Sequence, residues 1–203
     1  MKYKTLIFDF DGVIADTKQI AFQILSELEP TATMSDVEEL SMGNVYESNK
    51  FLFTKQTLNY YDKRQKELLT PNLIFDIVQY IRRLSQTHKL FIISSSDEIL
   101  IETFLTKHSV LNCFTKIYGK KTHFSKVIKF KMLFKEQNIT PTECVFITDT
   151  LGDLYEAQEV HVPSIAVSWG YHSQSILEKG EYLAIVHSPK ELFREIQKRE
   201  EVK

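Results

Sequence analysis

Short apolar runs alternate with stretches of helical periodicity along the chain after residue 70. An apolar run of about four to eight residues is typical of a strand buried on both faces, and apolar residues at every third or fourth position are typical of a helix packed on a sheet. The alternation predicts an α/β fold with a doubly wound, Rossmann-like parallel sheet between two layers of helices. The predicted strands are Thr5–Phe8, Leu90–Ile93, Lys116–Tyr118, Cys144–Thr148, Ser164–Val167 and Ala184–Val186.

The segments between these strands predict the helices of the core. One helix is expected directly after Thr70 and Pro71, because this pair is typical of a helix cap and first turn. Its apolar residues repeat at helical spacing at Leu73, Ile74, Ile77, Val78, Ile81 and Leu84. The other helices are expected near Glu98–Lys107, Lys126–Gln137, Leu151–Glu159 and Pro189–Lys198.

Residues 17–69 depart from this alternation. They contain no convincing strand, and a second helix-favouring run follows Ser48. In the first run, one helical face carries Ala21, Ile24, Leu25 and Leu28. We interpret residues 17–69 as an inserted helical cap domain, and residues 1–16 and 70–203 as the α/β core.

The composition fits a soluble globular protein with one core and at most one accessory module. The 203 residues are too few for two ordinary domains in tandem, and the net charge of -2 with no long basic run gives no reason to expect a nucleic acid partner. Cys113 and Cys144 are not in a CxxC arrangement, so we expect reduced, buried side chains. With neither a secretory signal nor an apolar stretch of about 20 residues, we expect a cytoplasmic monomer or homodimer that acts on a small molecule away from membranes.

Carboxylates follow two of the predicted strands. Asp9 and Asp11 come directly after the first strand, and Asp149 and Asp153 follow the strand that ends at Thr148. A lone Asp pair is more often a turn or a helix cap, but the carboxyl ends of parallel strands meet at the edge where α/β sheets bind ligands. Four carboxylates without His or Cys are suited to Mg²⁺ and poorly suited to zinc.

Hydroxyl and ammonium groups are expected at the same edge. The strand Leu90–Ile93 ends in Ser94 and Ser95 at the start of a helix, where hydroxyls and free backbone N–H groups can bind an anion. Serines here are also ordinary helix caps. Lys126 begins a helix upstream of Asp149, although the competing lysines are Lys120, Lys121, Lys129 and Lys131.

Taken in order, these motifs resemble those of the haloacid-dehalogenase-like superfamily. The resemblance rests on FDFDGVIADT, FIISS, Lys126 and FITDTLGD, and it spans nearly the whole chain. The helical insertion is similar to the small cap of phosphoglycolate-phosphatase-like and β-phosphoglucomutase-like members. One departure is Thr148, which stands where the family usually has Gly or Asp.

The resemblance implies a Mg²⁺-dependent phosphatase acting on a small phosphorylated metabolite. Asp9 would be the nucleophile that forms an aspartyl-phosphate, and Asp11 would be the general acid and base. Mg²⁺ would be held by Asp9, the backbone carbonyl of Asp11 and Asp149, with Asp153 in support. The remaining catalytic residues would bind the transferred phosphoryl group; these are Ser94 and Lys126.

The resemblance leaves the substrate and two alternative functions open. A phosphomutase uses the same core with a cap that excludes water, and a non-catalytic descendant would serve as an interaction module. Loss of an acid is the usual sign of the latter, and this chain keeps all four. In this cap type a loop approaches the active site, which makes Gly43, Asn44 and Lys50 candidate substrate contacts together with Ser95.

Overall fold

The structure is a computed structural model, and it describes residues 3–43, 57, 59–60, 63–65, 73–74 and 76–201. Six parallel strands in these ranges form one sheet, with the order β3-β2-β1-β4-β5-β6. This confirms the predicted doubly wound α/β fold. The strands are Thr5–Phe8 (β1), Lys89–Ile93 (β2), Phe114–Tyr118 (β3), Cys144–Thr148 (β4), Ser164–Val167 (β5) and Ala184–Val186 (β6).

Helices cover both faces of the sheet. The helices with described bounds are Lys18–Leu28 (α1), Met34–Leu40 (α2), Ile77–Leu84 (α3), Glu98–Lys107 (α4), Lys126–Gln137 (α5), Leu151–Glu159 (α6), Gln174–Leu177 (α7) and Pro189–Glu201 (α8). Helices α4, α5 and α6 have the predicted bounds, and α8 extends three residues beyond Lys198.

Alternate residues of each strand enter different cores, as a buried parallel sheet requires. Leu6 and Phe8 pack in the core under α3, α4 and α8, while Ile7 packs in the core under α5 and α6. Each of these three side chains is fully buried. The sheet is therefore the middle of three layers, and the ends of its strands are held rigidly on both sides.

The predicted start of α3 is wrong. The helix begins at Ile77, after Asp76 in a left-handed conformation (φ 62°). Leu73 forms an antiparallel bridge with Ala15, and the Ile74 N–H donates to the carbonyl of Ile14. Both side chains still pack on the core, so their apolar spacing reflects burial of a bridging segment instead of a helical turn. The proposed cap pair, Thr70 and Pro71, lies outside the described residues.

Every regular element described within residues 17–69 is helical, as the sequence predicted. Ala21, Ile24 and Leu25 of α1 are buried, whereas Leu28 at its end is 37% exposed. Part of the buried face contacts α2 through Val37. Residues 57, 59–60 and 63–65 are also helical.

The two cysteines are free, with Cys144 buried and Cys113 half-buried. None of the helices in the described ranges combines the length and the apolar character needed to cross a bilayer.

Candidate active site

The predicted site residues of the core meet at the carboxyl edge of the sheet. Asp9 follows β1, which lies between β2 and β4; Phe8 pairs with Ile92 on one side and with Ile147 on the other. The chain therefore places Asp9 between the turn after β2 and the turn after β4. This is the switch point where doubly wound sheets bind their ligands.

Lys126, the first residue of α5, joins two of the acids. Its Nζ lies 3.0 Å from Asp9 Oδ2 and 2.7 Å from Asp153 Oδ2, and the residue is only 3% exposed. Burial disfavours the ammonium, but Asp153 and Asp9 outweigh burial and raise the Lys126 pKa. A permanent positive charge therefore sits beside Asp9.

Lys129, one turn further along α5, has a different role. Its Nζ donates a 2.6 Å hydrogen bond to the carbonyl of Ser94, and the residue is fully buried. Burial and the neighbouring Lys126 lower its pKa to about 8. Sequence spacing did not decide which of the two lysines lies among the acids, and the geometry does. Lys126 contacts the acids, and Lys129 holds the turn after β2.

Asp9 is a buried acid in a crowded electrostatic environment. Burial raises its pKa well above the ordinary value, Lys126 opposes this, and Asp153 and Asp149 raise it further. Its Oδ1 accepts a 2.7 Å hydrogen bond from the Phe10 N–H. A cation bound beside Asp9 would therefore favour the ionised, nucleophilic form of this carboxylate.

Asp149 is held tightly and yet incompletely satisfied. Its Oδ2 accepts from the Tyr171 N–H at 2.6 Å, while its Oδ1 is buried with no hydrogen-bond partner among the described residues. Burial raises its pKa to about 7. Gly12, with φ +72°, approaches so closely that any Cβ would collide with the carboxylate, as would one at Gly170.

Asp153 is fully engaged by donors. Besides Lys126 Nζ, its Oδ2 accepts a 2.6 Å hydrogen bond from the hydroxyl of Thr148, the last residue of β4. Burial raises the Asp153 pKa, but Lys126 and these hydrogen bonds outweigh it and leave the pKa lowered. Asp153 is therefore an ionised partner of Lys126.

The carboxylate of Asp11 accepts from two side chains that the sequence analysis did not select. Ser96 Oγ donates to Oδ2 at 2.6 Å, and Gln65 Nε2 lies 3.2 Å from Oδ1. Burial raises the Asp11 pKa, and the hydrogen bonds from Ser96 and Thr17 oppose the rise. Ser96 directly follows the predicted Ser94 and Ser95, whereas nothing in the local sequence singles out Gln65.

The turn after β2 is ordered by its own serines. Ser94 is fully buried and its Oγ accepts from the Ser96 N–H at 3.0 Å, while Ser95 is partly exposed. Asp97 accepts from the Ile99 N–H, which is an ordinary N-cap. Of residues 94–97, Asp97 thus caps the helix, and Ser94 and Ser96 belong to the site.

The end of α2 reaches the acidic motif after β4. The Gly152 N–H donates to the carbonyl of Ser41 at 3.1 Å, and a Cβ on Gly152 would collide with the backbone of Gly43. The predicted approach of Gly43 to this edge is therefore observed next to Asp153. Asn44 and Lys50 lie outside the described residues.

Tyr171 and His172, which follow β5, contact α1 and α2. Lys18 Nζ donates to the Tyr171 carbonyl at 2.7 Å and contacts Glu38 at 2.7 Å. The Leu151 N–H donates to His172 Nδ1 at 2.9 Å, so the other ring nitrogen carries the proton and donates to the Glu38 carbonyl at 2.8 Å. The turn that carries Tyr171, whose N–H binds Asp149, therefore also contacts α1 and α2.

The acids are better suited to Mg²⁺, which keeps water and substrate ligands, than to a cation that takes all its ligands from protein side chains. Within the described ranges no three His, Cys, Asp or Glu side chains form a ready metal cage. Mg²⁺ is commonly bound by one or two carboxylates, with waters and substrate phosphate completing its shell. The unsatisfied Oδ1 of Asp149 and the crowded carboxylate of Asp9 are suited to that arrangement, and Asp153 is already paired with Lys126.

Comparison with known proteins identifies the class. The sequence profile of the haloacid dehalogenase-like hydrolases matches residues 6–167. The chain therefore belongs to this family of hydrolases. It is 22% identical over 188 residues to a phosphoglycolate phosphatase from Synechococcus elongatus, a match that covers 86% of this chain and 88% of that protein.

Solved structures share the fold over nearly the whole chain. A haloacid dehalogenase-like family hydrolase from Streptococcus pneumoniae superposes with a TM-score of 0.80 at 21% identity, covering 97% of this chain and 99% of that one. A protein described as a predicted phosphatase from Clostridium acetobutylicum gives 0.82 at 18% identity, covering 98% and 100%. At these identities the likeness shows the fold.

Proposed function

We propose that the protein is a Mg²⁺-dependent phosphatase that hydrolyses small phosphomonoesters through an aspartyl-phosphate on Asp9. The observation that carries this proposal is the buried Lys126 ammonium between Asp9 and Asp153, at the edge where Asp11 also lies. A nucleophilic carboxylate beside a fixed cation can meet an anionic phosphoryl group with less repulsion. Family membership and the phosphatase relative support the same reaction class.

In the first step, a carboxylate oxygen of Asp9 attacks phosphorus and the bond to the leaving oxygen breaks. Asp11 gives its proton to that oxygen. In the second step, Asp11 takes a proton from water, which attacks the acyl phosphate and releases inorganic phosphate and free Asp9. The phosphoryl oxygens would be bound by Lys126 and by Ser94.

Asp9, the backbone carbonyl of Asp11 and Asp149 would hold Mg²⁺, and Asp153 would support it through the shared network with Lys126. When bound, the ion would neutralise charge on the phosphoryl oxygens. We further propose that Ser95, Gly43, Asn44 and Lys50 contact the substrate. Gly43 has the most direct support among these, because its backbone packs on Gly152.

The test is phosphate release from a panel of phosphorylated metabolites with Mg²⁺, beginning with 2-phosphoglycolate because the Synechococcus relative is a phosphoglycolate phosphatase. Asp9→Asn should retain less than about a hundredth of the rate, since one acid-base group alone is worth roughly 10²- to 10⁴-fold. Its fold should survive, which an unchanged melting temperature would show. Glu102→Gln, on an exposed acid of α4, is the matched control and should keep full activity.

Other outcomes would redirect the assignment. Activation by a sugar bisphosphate, with the phosphate moved to another hydroxyl, would identify a phosphomutase. A folded protein that releases no phosphate from any ester with Mg²⁺ would favour the non-catalytic interaction module. Full activity of Asp9→Asn would remove Asp9 as the nucleophile.

A further inference from the structure

Gln65 belongs to the inserted helical segment, yet its side chain reaches the carboxylate of the core. The residue is 4% exposed, and its amide nitrogen lies 3.2 Å from Asp11 Oδ1 and 3.2 Å from Ser96 Oγ. Ser96 in turn donates to Asp11 Oδ2 at 2.6 Å. Three side chains that are distant in the sequence therefore form a closed ring of contacts.

This ring fixes the plane of the Asp11 carboxylate. The terminal torsion of an aspartate has a broad energy profile and does not settle into sharp rotamers. One donor on each oxygen restricts rotation about that torsion; Gln65 supplies the donor to Oδ1 and Ser96 supplies the donor to Oδ2. Loss of Gln65 would remove its hydrogen bond to Oδ1, while the hydrogen bonds from Ser96 and Thr17 to the Asp11 carboxylate would remain.

The neighbouring residue explains how Gln65 is held in place. Arg64 pairs with Glu27 of α1 through two hydrogen bonds, from Nε at 2.7 Å and from an Nη at 2.6 Å. Arg64 thus anchors the segment within the insertion, and Gln65 extends to the core. A buried glutamine that merely satisfied its own polar atoms could do so on nearby backbone; this one contacts Asp11 and Ser96 instead.

We propose that Gln65 is a positioning residue that orients Asp11 for proton transfer. The inference rests on the proposed function, because it assigns Asp11 the acid-base role. A hydrogen bond made across two parts of the chain also gives the segment a direct effect on the chemical step.

The experiment compares Gln65→Leu with Gln19→Leu. Gln19 is an exposed residue of α1, so Gln19→Leu is the same change in the same part of the chain and does not involve Glu27 or Arg64 in the described hydrogen bonds. Steady-state rates would be measured with Mg²⁺ on p-nitrophenyl phosphate, whose phenolate leaves without protonation, and on ethyl phosphate, whose alkoxide requires it. Melting temperatures would be measured for both variants.

For Gln65→Leu we expect kcat on ethyl phosphate to fall by about tenfold, near the upper end of the effect of one lost hydrogen bond. The loss on p-nitrophenyl phosphate should be clearly smaller, and KM for either ester should change by less than about threefold, because the variant impairs proton transfer and not binding. Gln19→Leu should match the wild type. Ser96→Ala, which removes the other donor from the core side, should give the same dependence on the leaving group.

Equal fractional losses on the two esters would overturn the inference and leave Gln65 a packing residue, as would wild-type kinetics for Gln65→Leu. If Gln65→Leu does not fold, Ser96→Ala and Gln65→Asn decide, and a uniform effect on both esters again rejects it. Phosphate release by the wild type together with wild-type kinetics for Gln65→Leu would reject the inference and leave the phosphatase assignment standing. A wild type inactive on every ester would reject both.

Discussion

Thr148 donates its hydroxyl hydrogen to Asp153 Oδ2 at 2.6 Å, the same oxygen that accepts from Lys126 Nζ at 2.7 Å. The family resemblance led us to expect Gly or Asp at this position, so threonine departs from that expectation. The structure gives the departure a physical account: a neutral, fully buried donor at the end of β4 orients the acid that holds Lys126 beside Asp9.

Replacing Thr148 with Val should therefore weaken both fold and site. The change leaves Asp153 without one donor in a buried place, and it also removes the acceptor for the Thr150 N–H at 3.3 Å. We expect the free energy of unfolding to fall by about 1–3 kcal/mol, with reduced activity. Thr148→Ser keeps the hydroxyl and is the control. Equal stability and activity of the two variants, measured by urea denaturation and phosphate release, would contradict this role.

Most of the sheet could be predicted from the sequence because strands buried on both faces are continuous apolar runs. Strands β1, β4, β5 and β6 have the predicted bounds. The start of α3 could not be predicted, because Leu73 satisfies the same apolar spacing while pairing with Ala15, a residue 58 positions earlier in the chain. Apolar periodicity reports burial, and a long-range backbone bridge can produce it as well as a helix.

The candidate site likewise contains residues that could be predicted from the sequence and residues that could not. Asp9, Asp11, Asp149 and Asp153 stand in local motifs that the strand ends bring together. Gln65 stands in no such motif, and only tertiary structure shows that a residue of the insertion meets Asp11. A local motif can reveal the acids of a site, whereas the neutral groups that orient those acids are recognised by contact.

Mg²⁺ should be required for activity and should stabilise the fold. We expect chelation to abolish turnover, since the acids would then repel a phosphate dianion. At a concentration of about 100 times its dissociation constant, an ion that binds only the folded state adds about 2.7 kcal/mol of stability. Because burial raises the Asp149 pKa to about 7, the ion must displace a proton at lower pH, and the rise in melting temperature should be larger at pH 8 than at pH 6.

Asp149→Asn is the variant that tests this arrangement, because it keeps the shape but loses an anionic ligand. Its melting temperature should respond little to Mg²⁺ at either pH, while Glu102→Gln should respond like the wild type. Full phosphatase activity in excess chelator would contradict the proposed magnesium site. So would an undiminished stabilisation of Asp149→Asn by Mg²⁺.

The buried, charged form of Lys129 should lower the free energy of unfolding at neutral pH. Its pKa is lowered from 10.5 to about 8, so between these values the folded chain binds fewer protons than the unfolded chain and stability rises with pH. A lowering from 10.5 to about 8 corresponds to about 3 kcal/mol. Lys129→Met loses this dependence, and it leaves the Ser94 carbonyl without its donor at every pH.

The stability of the wild type relative to Lys129→Met should therefore increase between about pH 7 and pH 10.5, by up to about 3 kcal/mol. Urea denaturation of both proteins across this range measures it. Burial raises the pKa of the Cys144 thiol to about 12, but this affects both proteins equally and cancels in the comparison. A constant difference across the range would mean that Lys129 titrates as an ordinary lysine.

The last prediction separates Asp9 from Asp11, which are two residues apart at the end of one strand. If Asp11 protonates the leaving oxygen, Asp11→Asn should lose most activity on alkyl phosphates and least on p-nitrophenyl phosphate, whose phenolate leaves unaided. Because the same residue activates water, phosphorylated enzyme should accumulate on the activated ester. Asp9→Asn should show neither behaviour, since it has no nucleophile and forms no phosphoenzyme.

Rapid-quench measurement of the burst and of the steady rate on both esters decides between these roles. For Asp11→Asn we expect a burst on p-nitrophenyl phosphate followed by a slower steady rate, which reports the second step. An equal fractional loss on the two esters, with no trapped phosphoenzyme, would remove Asp11 from proton transfer. Its contacts with Ser96 and Gln65 would then serve only to hold the end of β1 in place, and the general acid would have to come from the inserted segment.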